Sequence, residues 1–314
     1  MDDTDGESRL RGTADHSESG APAGGHVIRD RFSSNEIFQR IVVAADDEIT
    51  ARPRKLVAGG LAAGFAITVT FLLYASLTAS TGGDPILSAL LYPLGFIFII
   101  LGDYELYTEN TLPPVTLVLE RIASFPTLAR IWGLVLLGNF LGGALGAAAL
   151  SSTGVLSPAA ATAAEGFAVE AIEAPWWALF AKAVFAGLIV AGVVWVDYSL
   201  RDGIARITMV YLSFLAIPFG SLYHVVVSWT EMLFLVFEGE LALAVGVTEF
   251  VLPVLLGNSI GGVVLVTVVN YFQTTERRVA TARVSDIRPL STREWLLGGL
   301  GGDRSYVPSR RDRE

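Results

Sequence analysis

The sequence is dominated by apolar runs that approach the length of a membrane crossing. An α-helix needs about 20 predominantly apolar residues to cross the hydrocarbon core of a bilayer. Runs near that length lie at about 56–80, 85–101 (resuming to about 119), 127–150, 176–196, 207–223 and 244–271. Hydrophobic residues make up 52% of the chain, against about 45–50% in ordinary soluble domains. We therefore predict an all-α membrane protein with six transmembrane helices.

The second apolar run is broken by charge. Residues 102–111 hold three carboxylates, Asp103, Glu105 and Glu109, and two consecutive prolines follow at once. A charge at the bilayer centre costs about 2.5–3.5 kcal/mol on insertion scales, and proline lacks the backbone donor that a helix needs. Irregular backbone is tolerated at membrane depth where it lines a cavity. The stretch therefore predicts a break in the second transmembrane helix.

Positive charge in the connecting loops sets the predicted orientation, because cytoplasmic loops carry an excess of Lys and Arg. The loops at 81–84, 151–175 and 236–243 contain neither residue type. The basic residues of the remaining segments are Arg52, Arg54, Lys55, Arg121, Arg130, Arg201, Arg206 and the nine Arg from Arg277 onward. Both termini are therefore predicted in the cytoplasm, in a multi-pass protein of the cell membrane.

Six spans give two three-helix halves of opposite orientation, and a short motif supports an internal repeat. The pattern Gly-Asn-x-x-Gly-Gly at 138–143 in the third run recurs at 257–262 in the sixth. The fifth run is interrupted by a polar cluster with His224, Ser228 and Glu231, as the second is by its carboxylates. We predict two inverted three-helix repeats with broken helices 2 and 5, an arrangement that places a binding site at mid-membrane.

The flanking segments complete the predicted domain organisation. Residues 1–33 are polar and acidic, which predicts a disordered tail without a cleavable signal peptide. Residues 34–54 place apolar side chains on one side of a helix, which predicts an amphipathic helix on the membrane surface. The six-span channel domain then covers 55–273, and residues 274–314 form an Arg-rich cytoplasmic tail.

Composition argues against several kinds of site. The chain has no cysteine and only three histidines, of which His16 and His26 lie in the polar tail, so we predict no metal centre and no cofactor. A formal charge of −9 without a basic face argues against nucleic-acid binding. Residues 257–261 fit the G-x-S-x-G pattern of serine hydrolases with Ser259. Because the repeat has Phe140 at the corresponding position, we predict that the protein is not an enzyme.

His224 and Thr108 are the strongest candidates for chemistry. His224 is the only histidine in the membrane region. An ionisable group there is a functional hypothesis by default, and histidine exchanges a proton near neutral pH. The alternative is a neutral histidine that is hydrogen-bonded in a helix interface. Thr108 offers a donor and an acceptor in the first break, or else it caps the resumed half-helix.

Four further polar residues are assigned structural or electrostatic roles. We expect Glu105 to accept hydrogen bonds from backbone donors in the broken loop. Lys182, near the outer end of the fourth span, either draws anions into an external vestibule or extends its charged end to the membrane interface. Asn139 and Asn258, each beside glycines, are predicted to pack and hydrogen-bond between spans.

These residues together resemble the formate/nitrite transporter family over about residues 36–273. Residues 105–110, Glu-Leu-Tyr-Thr-Glu-Asn, are similar to that family's acid-Leu-Phe-Thr-x-Asn stretch in the broken second helix. The Gly-Asn pairs that end at Asn139 and Asn258 resemble its pairs in helices 3 and 6. His224 falls where the family has its single pore histidine, and Lys182 falls where some members carry a basic residue.

The resemblance implies an aquaporin-like protomer in a homopentamer, with a pore in each protomer for small monovalent anions such as formate or nitrite, or for their protonated acids. By analogy Thr108 and His224 face each other at mid-pore. Asn110 belongs to the structural pore loop with Glu105. The apolar constrictions on either side are matched by Leu106, Tyr92 and Ile217. Membrane lipids are the other expected partners.

Three positions depart from the family pattern. The family usually has an acid before the pore histidine, an Asn four residues after it and often an Asn in helix 4. Here Tyr223, Ser228 and Gly187 are aligned at these places. Two alternatives therefore stay open. One is a channel of the same fold for neutral solutes, although no Asn-Pro-Ala motif supports a true aquaporin. The other is a scaffold or sensor that does not transport.

Overall fold

The structure is a computed structural model that describes residues 32–273 and 289–299. These residues are mainly helical and form no strand, in agreement with the predicted all-α class. The predicted disorder of residues 1–33 falls outside the described part, except for its last two residues. Most of the predicted Arg-rich tail also lies outside it.

Twelve helices, numbered here in chain order, make up the described residues. They are α1 (Ser34–Ile49), α2 (Pro53–Thr81), α3 (Pro85–Ala89), α4 (Pro93–Gly102), α5 (Pro113–Leu119), α6 (Phe125–Ser152), α7 (Pro158–Glu173), α8 (Trp176–Asp197), α9 (Gly203–Phe219), α10 (Val225–Glu238), α11 (Leu243–Gln273) and α12 (Thr292–Leu297). A single 3₁₀ turn, Glu109–Thr111, precedes α5. Helix α11 contains two π-helical stretches, Gly246–Val251 and Gly261–Val268.

Five segments of the described chain are long and apolar enough to cross a membrane. They are α2, the combined segment Pro85–Gly102, α6, α8 and α11, while α9 is a shorter apolar helix. Helix α9 is short because the chain leaves helical geometry after Phe219. This architecture is consistent with the six predicted spans, the second and fifth of which are interrupted.

Close helix contacts divide the molecule into two halves. Helix α2 packs along α6, and helix α8 packs along α11. A Cβ atom added at Gly60 of α2 would stand 3.1 Å from the Cα of Gly138. Similarly, a Cβ atom at Gly257 of α11 would stand 3.1 Å from the backbone nitrogen of Val184. Glycine is therefore required where the two helices of each pair approach closely.

Helices α1 and α7 lie outside the predicted spans. The apolar face of α1 is buried against the protein itself: α1 packs on α5, and the ring of Phe38 lies 6.0 Å from that of Tyr271. Helix α7 occupies the segment 151–175, which was predicted only as a loop. Ser157 caps this helix at its N-terminus, and its buried alanines face α2 and α10.

Candidate functional site

Both broken helices leave helical geometry at a residue with positive φ. Asp103 follows α4 with φ 55°, and Ser221 follows α9 with φ 50°. The chain then runs irregularly until α5 in the first break and α10 in the second. Backbone groups in such segments have no helical partner and must be satisfied by other groups.

Asn139 of α6 satisfies the first break. Its Oδ1 accepts a hydrogen bond from the backbone N–H of Tyr107 at 2.9 Å. Its Nδ2 donates to the carbonyl of Glu105 at 2.7 Å and to that of Gly60 at 2.9 Å. The side chain is fully buried. One amide therefore ties the broken loop to α2 and α6.

Asn258 of α11 does the same at the second break. Its Oδ1 accepts from the backbone N–H of Val225 at 2.8 Å. Its Nδ2 donates to the carbonyls of Tyr223 at 3.0 Å and Ala183 at 2.7 Å. The hydrogen-bonding role expected for the two asparagines is thus present, and both bind the broken loops as well as the neighbouring spans.

Glu105 does not have the partners that we expected from the sequence. Among the described residues its carboxylate accepts a hydrogen bond from Asn110 Nδ2, at 3.4 Å, and none from a backbone N–H. The backbone donor of this loop, at Tyr107, is taken by Asn139 instead. Asn110 also donates to the carbonyl of Leu106 at 3.2 Å. An amide satisfies the loop because it supplies both a donor and an acceptor, whereas a carboxylate only accepts.

The two breaks meet at Thr108 and His224. The Oγ1 of Thr108 lies 2.8 Å from the Nε2 of His224. Both residues are 1% exposed. The other ring nitrogen of His224, Nδ1, is buried without a hydrogen-bond partner in the described part of the protein. The residues that the resemblance placed opposite each other are therefore in direct contact.

Apolar side chains surround this polar pair. Leu106 and Ile217, both expected in constrictions, are fully buried, and Tyr92 is 3% exposed. Sequence reasoning missed two aromatic residues: Phe96 lies edge-on to the imidazole of His224 at 5.1 Å and stacks on Phe214 at 3.9 Å. Because both lie inside apolar runs, nothing in the sequence distinguishes them from residues that face lipid.

A cavity of about 70 Å³ adjoins His224 on one side. We call it the outer cavity, because Phe167 and Glu170 of α7, in a segment predicted to lie outside, contribute to its wall. Three polar residues of α10 or its N-cap, His224, Ser228 and Glu231, line it together. The remaining lining residues are Tyr74, Tyr92, Pro218, Ser221, Leu222, Tyr223 and Val227.

A second cavity, of about 250 Å³, lies on the other side and shares no lining residue with the first. In this inner cavity, Arg206 forms a two-point ion pair with Asp197, at 2.6 and 2.7 Å. Glu109 and Asn110, which directly follow Thr108, also line it. Thr108, His224 and the apolar side chains around them therefore separate the two cavities. We call this region the buried layer. The other polar or charged lining residues are Glu48, Asp103, Tyr104, Glu105 and Tyr198.

Lys182 lies beside Tyr223, and Gly187 lies against α11; Tyr223 and Gly187 are two of the positions that depart from the family pattern. The Nζ of Lys182 lies 5.5 Å from the ring centroid of Tyr223, a residue of the outer cavity, although Lys182 itself is not in the cavity wall. Gly187 packs on α11: an added Cβ would stand 2.7 Å from the Cα of Asn258. A larger polar residue therefore has no room at Gly187, so our alignment of this position with a histidine partner has no support.

Ser259, the candidate nucleophile of the hydrolase pattern, lies elsewhere. Its Oγ donates to the carbonyl of Leu255 at 2.6 Å and stands 2.8 Å from the hydroxyl of Tyr107. His224, the candidate base, is hydrogen-bonded to Thr108. The described residues also contain no group of three or more His, Cys, Asp or Glu side chains that would hold a metal ion.

Comparison with known proteins agrees with this geometry. The sequence profile of the formate/nitrite transporter family matches residues 35–272. The chain belongs to this family. It is therefore a membrane transport protein and not an enzyme, as predicted from the sequence. The broken helices, the Gly-Asn pairs and the buried histidine all lie within the matched region.

Relatives and solved structures extend the comparison. The chain is 29% identical to the inner membrane protein YfdC of Escherichia coli, over 82% of this chain and 86% of the relative. It is 30% identical to the formate channel FocA of Haemophilus influenzae over 47% of this chain and 55% of that protein. A solved FNT family ion channel matches 76% of this chain and 99% of its own, with a TM-score of 0.67 and 22% identity. A pentameric formate channel with formate bound matches 70% of this chain and 97% of its own, with a TM-score of 0.60 and 18% identity.

Proposed function

We propose that this protein is a channel or transporter for small monovalent anions or their conjugate acids, of the formate or nitrite type, and that the Thr108–His224 pair aids proton-coupled passage. The observation that carries the proposal is the 2.8 Å contact between Thr108 Oγ1 and His224 Nε2 in a buried layer between two polar cavities. The names of two relatives support the substrate class: the formate channel FocA, and the formate-nitrite transporter 3 of Toxoplasma gondii, to which this chain is 29% identical.

The buried layer favours a neutral permeant. An anion that enters an apolar constriction loses its hydration, which costs several kcal/mol, whereas a neutral acid crosses at a much lower cost. Thr108 and His224 offer hydrogen bonds to a small polar solute within this layer. In this mechanism the anion takes up a proton before it reaches the buried layer, crosses the layer as a neutral acid, and releases the proton on the far side.

The charges of the outer cavity give some weight to the second candidate, a channel for neutral solutes. Among the described residues, the charged ones that line it, Glu170 and Glu231, are both acidic, and no Lys or Arg lines it. Such a wall does not concentrate free anions. The first candidate accommodates this observation if the substrate is neutralised inside the cavity, with Lys182 attracting the anion from behind Tyr223.

We further propose a homopentamer in the cell membrane with both termini in the cytoplasm. The pentameric assembly of a structural neighbour supports the oligomer, and the name of the Escherichia coli relative supports the location. The distribution of Lys and Arg among the loops supports the orientation.

Stopped-flow uptake by proteoliposomes tests the function. We would compare formate, nitrite, acetate and hydrosulfide at two pH values, for the wild type and for His224→Asn. Asn keeps a polar side chain of similar size but does not titrate. We expect uptake of at least one anion and a marked loss of this uptake in the variant. Uptake by His224→Asn at the wild-type rate at both pH values would refute the role of the histidine, and absence of uptake for all four would refute the substrate class.

A further inference from the structure

The outer cavity contains a buried carboxyl group that the family resemblance does not assign. Glu231 of α10 is 6% exposed, lines the cavity and forms no hydrogen bond or ion pair with any described residue. It stands seven residues after His224, with Ser228 between them, so the three side chains share one helix face. At a rise of about 1.5 Å per residue, Glu231 lies about 10 Å beyond His224, toward the loop predicted to lie outside.

Two further polar groups in this cavity have no partner. Ser228 is 1% exposed, and its Oγ is buried without a hydrogen bond. The Nδ1 of His224, in the same wall, is also without one. Buried polar groups are nearly always satisfied, and exceptions are found where a ligand or water binds. The cavity therefore offers a carboxyl, a hydroxyl and an imidazole nitrogen to a small solute.

The groups that face Glu231 leave its charge uncompensated. Helix α7 contributes Glu170, α2 contributes Tyr74, and the connection before α4 contributes Tyr92. Tyr223 and His224 face it from the N-terminal end of α10, and Lys182 lies behind the Tyr223 ring without lining the cavity. A lone buried carboxylate is costly, and such a group binds either a proton or a donor.

We propose that Glu231 is the proton donor for the substrate in the outer cavity, an inference that rests on the proposed function. The anion accepts the proton of the Glu231 carboxyl, which leaves a neutral acid and a Glu231 carboxylate. Ser228 donates a hydrogen bond to the substrate at this stage. The neutral acid then passes the Thr108–His224 layer, and the Glu231 carboxylate regains a proton from the outer solution. His224 is thus a polar contact at the constriction, whereas the proton comes from Glu231.

The dependence of the initial uptake rate on external pH tests this assignment. We would measure formate uptake by proteoliposomes at a fixed total formate concentration for the wild type and for Glu231→Gln. With Glu231 as donor, the wild-type rate is nearly independent of pH as long as this carboxyl holds its proton. Without a donor, only formic acid formed in bulk solution enters, so the rate falls about tenfold per pH unit. We expect this steep profile in Glu231→Gln.

Two variants serve as controls. Glu238→Gln removes an exposed carboxylate from the same helix and should keep the wild-type profile. Glu231→Asp keeps a carboxyl group. Its uptake rate should therefore also be independent of pH over a range, but the pH at which the rate begins to fall should shift. The same profile in wild type and Glu231→Gln overturns the inference. If wild-type uptake depends on His224 but not on Glu231, the inference alone fails, whereas absence of wild-type uptake means that the proposed function fails.

A measurement on the wild-type protein covers the case in which Glu231→Gln does not assemble. Infrared difference spectra with and without formate report the carbonyl stretch of protonated carboxyl groups. We expect formate to change one such band and Glu231→Asp to displace that band. A spectrum in which formate leaves these bands unaltered overturns the inference.

Discussion

Asn139 and Asn258 form the same three hydrogen bonds at the two helix breaks. Each Oδ1 accepts from a backbone N–H of its broken segment. Each Nδ2 donates to a carbonyl two residues earlier in that segment and to a carbonyl of the neighbouring span. The two Gly-Asn motifs in the sequence therefore have the same role in the fold, because each buried amide supplies hydrogen-bond partners to the backbone of a broken helix.

Asn258→Ala is expected to destabilise the protein markedly. The substitution leaves the N–H of Val225 and two carbonyls without their partner, and each buried unsatisfied group costs about 1–3 kcal/mol. We expect a lower thermal midpoint for the oligomer in detergent, measured by loss of the assembled peak in size-exclusion chromatography. Asn270→Ala is the control, because among the described residues Asn270 donates only to a carbonyl of its own helix, that of Val266. Equal midpoints for the two variants would contradict the role of Asn258.

Thr108→Val is expected to impair uptake more than Thr108→Ser. Valine matches threonine in shape but removes the hydroxyl, so His224 Nε2 loses its 2.8 Å partner in a fully buried layer. Serine keeps the hydroxyl. Initial rates of formate uptake at one pH, normalised to assembled protein, compare the two. We expect at least a tenfold loss for valine and a smaller one for serine. A serine variant as impaired as the valine variant would show that the methyl group, not the hydroxyl, matters here.

Much of the fold was predictable because it depends on local composition. The run 56–80 became α2, and the run 176–196 became α8 almost to the residue. The first break was predictable from its carboxylates and prolines, and the second from the polar cluster with His224, Ser228 and Glu231. Helix α7 was missed because an alanine-rich segment between spans has no strong apolar pattern, although Ser157 and Pro158 are a helix-start signal.

The site was harder to predict, because it depends on contacts between distant segments. The pairing of Thr108 with His224 joins positions 116 residues apart, and only the family resemblance suggested it. The repeat alone would not have found it: by the matched hydrogen bonds, His224 corresponds to Leu106 of the first break. The stack of Phe96 on Phe214 and the acceptor role of Glu105 toward Asn110 depend on side-chain packing that no sequence spacing encodes.

Gly187→Ala is expected to disturb the contact between α8 and α11. The added methyl group would stand 2.7 Å from the Cα of Asn258 and would push against its carbonyl oxygen, so backbone must move. Gly192→Ala, on the same helix, is the matched control because nothing lies within 4 Å of its added Cβ. We expect a lower thermal midpoint and less oligomer for Gly187→Ala only. Similar yields and midpoints for both would mean that α8 and α11 separate easily.

Glu48 is expected to make stability fall as the pH rises. This residue of α1 precedes the first span, and its Oε2 is buried without a partner. Burial raises the pKa of the Glu48 carboxyl well above its usual value, and the nearby charge of Glu105 raises it further. A group whose pKa is higher in the folded state stabilises the protein fully below the unfolded pKa of about 4.3, and this contribution is lost as the pH rises through the folded value.

Glu48→Gln is neutral at every pH, so it should match the wild type in acid and melt a few degrees higher in alkaline solution. Thermal midpoints across a pH series test this, with the exposed neighbour Asp47→Asn as control. Parallel curves for wild type and Glu48→Gln would show that the Glu48 carboxylate is accommodated by the fold without cost.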